Sequence, residues 1–394
     1  MNQIDDGLAH DGGKEVSSLD SDLPPPRFES RKEFMDFLGE LMIASFEHEE
    51  EEEAFEETRG RPRLLKTYMM EANQGLPCIS NDPYLIVKKT ETRLPEVTVL
   101  SLEYANVRAR FYVDTSDRRF WLLHTNDLAD NTRYLFNRLV SSPTAAFDKA
   151  WFPTETIQKI AGLPNNVFKG FGLEYQDFFA LNGQGEQPVE ELRMRVSGSN
   201  SIDALEALRA KDKLRRSLSY SMLRVRRGNS SSFVIEELSY EGRFIARGGS
   251  SIDDYVSLIE ITGKMYRNTI EAIEKNSIGV KEVEGRMLAE GQAFDLILER
   301  KIENIDLFLK NLVNSKNPFR LWGMQNKISK DFYQIIGVDL HTGDSIDLEV
   351  TPCLIRVYLP KGSCGNTILR LYTNLQHYFD SAIRLNDEPL AISE

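Results

Sequence analysis

The chain of 394 residues contains little cysteine and little histidine. Its three cysteines, Cys78, Cys353 and Cys364, are an odd number, and none of them lies in a C-x-x-C spacing. This pattern argues against a disulfide framework and a cysteine-rich zinc site, and it favours a reducing compartment. The five histidines form no H-x-x-x-H or H-E-x-x-H pair, so the sequence gives no support to zinc hydrolase chemistry.

Long apolar runs are also absent from the sequence. No stretch approaches the roughly 20 apolar residues that a membrane helix requires. Residues 1–14 are polar and acidic, without the basic and apolar segments that a secretory signal contains. We therefore expect a soluble, cytoplasmic protein that makes no contact with a membrane.

The overall composition is that of a folded, acidic protein. The chain is 41% hydrophobic and 28% charged, and its long polar stretches are confined to the first sixty residues. We expect most of the chain to fold around apolar cores. The net charge of −13 disfavours nonspecific binding of nucleic acid over the whole surface, but it leaves room for a local basic face.

The patterning of the chain predicts an α+β fold of two or more mixed strand–helix units behind a disordered acidic N-terminal arm. A capping box at Ser30–Glu33 begins an amphipathic helix, and this helix runs into a block of glutamates at 49–57. The predicted divisions are a disordered arm at 1–29, the helix, acidic block and basic linker at 30–63, a first unit at 64–230, a second unit at 231–386 and a tail at 387–394.

Alternating apolar residues predict strands, and a period of 3.6 residues predicts helices. The predicted strands lie at 97–102, 107–113, 119–123, 190–197, 217–226, 232–238, 241–247, 282–289, 293–300, 332–340 and 346–359. The predicted helices lie at 127–140, 252–275, 302–313 and 366–382. Ser250 or Ser251 is expected to cap the helix at 252–275.

Two parts of the chain are similar enough to suggest an internal duplication. The strand at Phe120–Leu123, followed by a helix and Trp151, corresponds in this interpretation to Phe294–Ile297, followed by a helix and Trp322. The alternative is that strand–helix units of similar length resemble each other by chance.

The strongest charge feature is the segment from Arg209 to Arg227, which contains eight basic residues and a single acid, Asp212. On a strand, Arg224 and Arg226 point to one side while the residues between them face the core. The segment predicts a surface that binds a nucleic acid, an acidic protein or the chain's own glutamates. The alternative is a solvated face balanced by neighbouring acids. The basic residues are Arg209, Lys211, Lys213, Arg215, Arg216, Arg224, Arg226 and Arg227.

A second basic segment precedes the first predicted unit. The sequence Arg59-Gly60-Arg61-Pro62-Arg63 resembles the core of the AT-hook. This resemblance implies that Arg59, Arg61 and Arg63 enter the narrow minor groove of A·T-rich DNA. A basic linker after an acidic helix is the alternative.

Asp295 is followed at the end of a predicted strand by Glu299, Arg300 and Lys301. This pattern resembles the metal-binding core of restriction-type nucleases, with Glu284 as an alternative first acid because it lies further upstream. The resemblance implies that the carboxylates hold Mg²⁺ and that Lys301 positions the attacking water. Charged residues that lead from an edge strand into a helix are the alternative.

The loop at 361–367 lies between a predicted strand and a predicted helix. Its glycines allow backbone amides to turn toward an anion, and the helix N-terminus adds partial positive charge. A structural turn is the alternative, and Cys364 is either a nucleophile at this helix end or a buried thiol. The residues of this candidate anion site are Lys361, Ser363, Asn366, Thr367 and Arg370.

These features lead to two functional hypotheses. The first is a non-catalytic binding or regulatory protein without a cofactor, whose basic surface recognises a nucleic acid or an acidic protein and is masked by the glutamate block. The second is an enzyme that acts on phosphates, either a Mg²⁺-dependent nuclease or an activity at the 361–367 loop. A structural subunit of a protein assembly is a third interpretation.

Overall fold

The computed structural model describes residues 26–53, 63–73, 82, 84–141, 147–179, 191–198, 200–212, 214–283, 285–313 and 317–386, with the side chains of 47–53 outside the description. The predicted tail at 387–394 and residues 1–25 of the predicted arm lie outside these ranges. Within the described part of the chain, no helix has the length and apolar character needed to cross a membrane.

The structure confirms the mixed α+β class. The described α-helices are α1 (Arg31–Glu53), α2 (Ala129–Ser141), α3 (Thr154–Ala161), α4 (Ser201–Arg209), α5 (Ile252–Asn276), α6 (Ile305–Val313) and α7 (Asn366–Tyr378). A short 3-10 turn (Arg215–Ser217) follows α4. As expected, Ser251 caps α5, because its hydroxyl accepts a hydrogen bond of 3.2 Å from the amide of Asp254.

The described strands fall into three groups along the chain. The first group is β1 (Lys66–Ala72), β2 (Ile86–Glu91), β3 (Val97–Tyr104), β4 (Val107–Asp114), β5 (Phe120–Thr125) and β6 (Phe147–Lys149). The second is β7 (Val167–Gln176), β8 (Glu191–Ser197), β9 (Tyr220–Gly228), β10 (Phe233–Ser239) and β11 (Arg243–Gly249). The third is β12 (Gly279–Val283), β13 (Arg286–Glu290), β14 (Phe294–Ile297), β15 (Leu321–Ser329), β16 (Phe332–Asp339), β17 (Ser345–Thr351), β18 (Leu354–Tyr358) and β19 (Arg384–Leu385).

The first two groups form one large sheet. Its order is β2-β3-β4-β5-β1-β11-β10-β9-β7-β8, and β6 also pairs with β1. A six-stranded sheet has the order β15-β16-β17-β18-β14-β19, and β12 and β13 form a separate hairpin. The predicted unit boundary at 230/231 therefore falls in the turn between β9 and β10, two strands that pair within one sheet. Along the chain, β11 is the last strand of the large sheet and β14 is the first strand of the six-stranded sheet.

The six-stranded sheet repeats the topology of β1–β6. In each set, a four-stranded meander returns to pair with the first strand, a helix follows, and a short last strand pairs with the first strand again. This relation matches β1 with β14 and β5 with β18, whereas the sequence comparison matched Phe120–Leu123 of β5 with Phe294–Ile297 of β14. The predicted residue correspondence thus differs from the shared topology, and the duplication itself stays a prediction.

Two apolar cores hold these elements together. The main core lies under α1 and α5 and is continuous with residues of both sheets. Helix α1 contributes Phe34, Leu38 and Met42, which are fully buried. A second core lies between α2 and the opposite face of β1, β3, β4 and β5. Burying apolar side chains on both faces fixes the large sheet as a layer between helices.

Candidate polyanion-binding face

The basic segment 209–227 does not form one surface. Arg209 ends α4, Lys211 follows it, and Arg215 and Arg216 begin the 3-10 turn, while Lys213 lies outside the described residues. Arg209 and Arg215 lie beside Leu218 and Tyr220, on the side of the main core. Further along, β9 turns Arg224 and Arg226 to the opposite side, as predicted, because Leu223 and Val225 are buried in the main core.

Arg227 corrects the predicted surface at one position. The strand period of two turns its side chain to the core face, where it is only 5% exposed. Its guanidinium donates to Asn166 Oδ1 at 2.7 Å and to Ser257 Oγ at 3.4 Å. Arg227 therefore ties β9 to the loop after α3 and to α5, and it is not available to an external partner.

Arg224 and Arg226 have arginine neighbours on the adjoining strands. Strand β8 presents two exposed arginines on this side, and β11 presents two partly exposed ones. We call these six residues the arginine face. Its members are Arg193 and Arg195 on β8, Arg224 and Arg226 on β9, and Arg243 and Arg247 on β11. Four strand spacings separate β8 from β11, so the face is about 19 Å wide.

Glu237 of β10 lies at the centre of the arginine face. Its carboxylate, 2% exposed, accepts hydrogen bonds from Arg224 at 3.0 Å and from Arg247 at 3.1 and 3.2 Å. Burial alone raises the pKa of Glu237, but Arg247 and Arg224 outweigh it and hold the pKa below its ordinary value. One ionised carboxylate thus orients two guanidiniums from different strands.

Strand β7 leaves room for these long side chains. Gly172 pairs with Arg195 of β8 and with Met222 of β9. A Cβ atom at Gly172 would lie 2.7 Å from the Ser221 hydroxyl and 2.8 Å from Met222. The Arg195 stem also packs here, at 3.6 Å from that position. Glycine is therefore required for the close approach, and the stem of Arg195 covers the strand.

Lys66 of β1 is buried next to the arginine face. The ammonium group of Lys66 is buried and donates to the carbonyl of Leu64. Burial, followed by Arg243, Arg247 and Arg63, lowers the pKa of Lys66 to about 7, against the opposing charge of Asp127. Arg63 is thus close enough to act on Lys66, whereas Arg59 and Arg61 of the AT-hook-like segment lie outside the described residues.

The nuclease-like residues are engaged with arginines. Asp295 accepts two hydrogen bonds from Arg356, at 2.7 and 3.0 Å, and Glu299 accepts one from Arg215 at 2.6 Å. Lys301 is exposed, and Glu284 lies outside the described residues. Among the residues that the structure describes, no three His, Cys, Asp or Glu side chains are grouped to hold a metal ion.

The 361–367 loop binds carboxylates of its own chain. The amide of Cys364 donates to Asp344 at 3.3 Å, and the amide of Gly365 donates to Glu274 at 2.9 Å. The Lys361 ammonium donates to the carbonyl of Lys275 at 2.9 Å. Because the fold brings Asp344 and Glu274 against the loop, the backbone amides predicted to bind an external anion bind carboxylates of the chain itself.

The remaining residues of the predicted anion site are buried. Ser363 and Asn366 are 6% and 0% exposed, and the Thr367 hydroxyl donates to Asp339 at 2.5 Å. Arg370 is fully buried, and its guanidinium binds Asp148, Asp339 and the carbonyl of Phe319. These groups form an internal ionic network.

Cys364 is a buried thiol. Its Sγ donates to Glu71 at 3.2 Å, and burial together with Glu71 raises the pKa of Cys364 well above its ordinary value. A thiol with a raised pKa carries little of the thiolate that acts as a nucleophile. The surroundings of Cys364 thus agree with a buried thiol rather than a nucleophile.

Four members of the arginine face were missed by the sequence interpretation. The signal was present in Leu192-Arg193-Met194-Arg195-Val196, where arginines alternate with apolar residues on a predicted strand. Arg243 and Arg247 lie four residues apart on the predicted strand 241–247, so they face one side. Charge density along the chain did not reveal them, because the face is assembled from three separate strands.

Comparison with known proteins gives the family of the chain. Residues 26–391 match the family model described as MJECL33-like protein. The chain is also similar to a protein of Methanocaldococcus jannaschii described as Uncharacterized protein MJECL33, with 27% identity over an alignment of 405 positions that covers 92% of this chain and 95% of the relative. The chain belongs to the MJECL33-like protein family.

Proposed function

We propose that the protein is a non-catalytic nucleic-acid-binding protein and that its arginine face contacts the phosphate groups of a polynucleotide. The observation that carries this proposal is the gathering of six arginines from three strands on one side of the large sheet, in a chain with a net charge of −13. A local basic face of this kind is the electrostatic footprint of a nucleic-acid-binding protein.

The chemistry of the face favours phosphate. Its cations are arginines, whose planar guanidinium groups donate to phosphate oxygens in pairs. Arg193 is 70% exposed, and Arg224 and Arg247 keep 25% and 28% of their side chains in contact with solvent. Arg226 is held over the ring of Phe233 at 4.4 Å, which fixes one guanidinium in place before a ligand binds.

The test compares two double variants in the full-length chain. R195Q/R226Q removes two charges from the arginine face. R93Q/R108Q removes two charges from arginines that are 64% and 60% exposed in and near the β2–β4 meander. Binding of single- and double-stranded DNA and RNA is measured across a salt series, with and without Mg²⁺.

We expect the first variant to weaken binding roughly tenfold or more at low salt and the second to change it little. Losing two phosphate contacts should reduce the slope of log K against log salt by about 1.4 for single strands and about 1.8 for duplexes. Equal effects of the two variants would refute the proposal. Cleaved products with Mg²⁺ would instead favour the nuclease alternative.

An acidic protein partner is a second candidate. The specific observation in its favour is that Glu237 and Glu174 already bind members of the face, the latter through Arg193 at 2.6 Å. A glutamate-rich peptide therefore serves as a competitor in the same assay. Tight binding of the peptide, with no binding of any nucleic acid, would replace the first candidate by the second.

A further inference from the structure

A second group of arginines lines a cavity on the other side of the large sheet from the arginine face. The cavity has a volume of about 310 Å³ and lies between α3, the end of α4 and β19. Leu205, Leu218 and Tyr220 form its apolar lining and belong to the main core. We call this cavity the Arg384 pocket.

Three guanidinium groups belong to this pocket. Arg209 donates to the Tyr220 hydroxyl at 2.9 Å, and Arg215 pairs with Glu299 at 2.6 Å. Arg384 lines the cavity from β19, where its backbone pairs with β14, and the described residues provide its guanidinium with no hydrogen bond or ion pair. Because a guanidinium has five N–H donors, each of these arginines keeps donors for a ligand.

Thr154 belongs to the wall of the same cavity, and its hydroxyl lies within that wall rather than on its surface. It is buried, and no described residue gives it a hydrogen-bond partner. Its own amide is already bound by Gln376 Oε1 at 2.9 Å, and Gln376 also donates to the carboxylate of Glu155 at 3.2 Å. These hydrogen bonds fix the wall of the pocket, and the arginines are the polar groups on which a ligand in the cavity would bind.

We propose that the Arg384 pocket binds a phosphomonoester group, with the phosphate on the arginines and the rest of the ligand against the apolar lining. A phosphomonoester carries a charge of about −1.5 to −2 at neutral pH and accepts paired hydrogen bonds from arginine. The cavity lies at the small end of the roughly 300–1,000 Å³ range of ligand pockets, which suits a small molecule or the end of a strand.

Calorimetric titration of the full-length chain tests this site, with inorganic phosphate, adenosine 5′-monophosphate and adenosine as probes. R384Q removes a guanidinium that has no partner among the described residues and keeps the backbone pairing of β19, so the fold should tolerate it. R286Q, at an exposed position of β13, removes the same charge elsewhere. We expect R384Q to weaken binding of the monophosphate at least about tenfold, R286Q to leave it unchanged, and adenosine not to bind.

The source of the phosphomonoester is resolved by oligonucleotides with and without a 5′-phosphate. Dependence on the 5′-phosphate that is lost in R384Q would assign the pocket to strand ends, whereas binding of the free monophosphate alone would assign it to a metabolite. Equal binding by R384Q and R286Q, or no phosphate-dependent binding of any probe below about 10 mM, would overturn the proposal. R195Q/R226Q should retain monophosphate binding, which separates this test from that of the arginine face.

Discussion

At the scale of single residues, Lys66 shows how the arginine face affects stability. Its ammonium group is buried beside three arginines, and its pKa is lowered to about 7, with burial as the largest cause. An unfolded chain keeps a lysine charged up to about pH 10.4. Between about pH 7 and about pH 10.4 the unfolded chain therefore binds more protons than the folded chain, so the free energy of unfolding rises with pH. Below about pH 7 Lys66 is charged in both states, and the full cost of burying the charge applies.

We therefore expect the wild-type chain to gain roughly 2 kcal/mol between pH 7 and pH 9 relative to Lys66→Met, which lacks this titration. Urea unfolding at the two pH values measures the difference. Lys281→Met, at an exposed position of β12, serves as the control and should follow the wild-type chain. The same pH dependence in Lys66→Met as in Lys281→Met would show that Lys66 is not the group that titrates.

Features of the site that depend on neighbouring residues were predictable from the sequence, whereas contacts between distant residues were not. Strand alternation correctly separated Arg224 and Arg226 from Leu223 and Val225, because that period is local. The pairing of Glu299 with Arg215 joins residues 84 positions apart. Such a contact depends on how distant elements pack, so the sequence motif around Glu299 contained no information about it.

At the scale of elements, patterning predicted most of the long helices and many strands. Helices α2, α5, α6 and α7 and strands β3, β4, β5, β8, β9, β10, β11, β14 and β16 lie where predicted, with ends shifted by a few residues. The predicted strand 346–359 is instead two strands, β17 and β18, which reverse at Pro352 and Cys353. The predicted strand 282–289 is likewise a hairpin, β12 and β13, that turns at Gly285 with φ of +73°.

Other elements were missed because their burial or their short length hides the periodic pattern of apolar residues. Every residue of β1 is buried, so the strand shows no alternation between polar and apolar residues. Strand β15 is the reverse case, since it is exposed along most of its length at the edge of its sheet. Short α3 and α4 carry too few turns for a helical period to stand out.

Helix α1 determines how the masking proposal must be tested. Removing residues 1–58 would take Phe34, Leu38 and Met42 out of the main core and destabilise the fold. Neutralising Glu49–Glu53 to glutamine in the full-length chain avoids this problem. If these glutamates compete for the arginine face at millimolar effective concentration, nucleic-acid binding at low salt should tighten roughly three- to tenfold.

The control for this experiment neutralises five exposed carboxylates outside the large sheet. They are Glu282, Glu290, Glu303, Asp331 and Asp347. This variant has the same net charge as the first, so it reports the effect of overall charge alone. Equal tightening in both variants would mean that the glutamate block does not act on the arginine face specifically.

At the scale of the whole molecule, α7 connects the two sheets. Arg370 binds Asp148 of β6 in the large sheet and Asp339 of β16 in the six-stranded sheet. Although burial opposes ionisation of Asp148, the charges of Arg370, His341 and Arg320 hold its pKa well below the ordinary value. Arg119 ties the large sheet to α5, since it binds Glu71 of β1 and Glu274 of α5. We infer that the two sheets unfold together.

The Arg370 connection gives a prediction about the whole fold. Arg370→Met leaves buried carboxylates without their main partner, so we expect a loss of roughly 3–5 kcal/mol of unfolding free energy. Adding Asp339→Asn should recover at least about 1.5 kcal/mol, because one unpaired charge is removed while Asp148 keeps Arg320 at 3.6 Å. Urea unfolding of the wild-type chain, the two single variants and the double variant gives the coupling energy between Arg370 and Asp339.

The surface pair Arg356 and Asp295 is the matched control for that cycle. Its side chains are 40% and 22% exposed, so solvent screens their attraction, and we expect a coupling energy below about 1 kcal/mol. If the Arg370 cycle gives a coupling no larger than this control, the buried pair of Arg370 and Asp339 does not hold α7 to the six-stranded sheet energetically. A large coupling together with a single unfolding transition would show that the internal carboxylates in contact with α7 hold the two sheets as one cooperative unit.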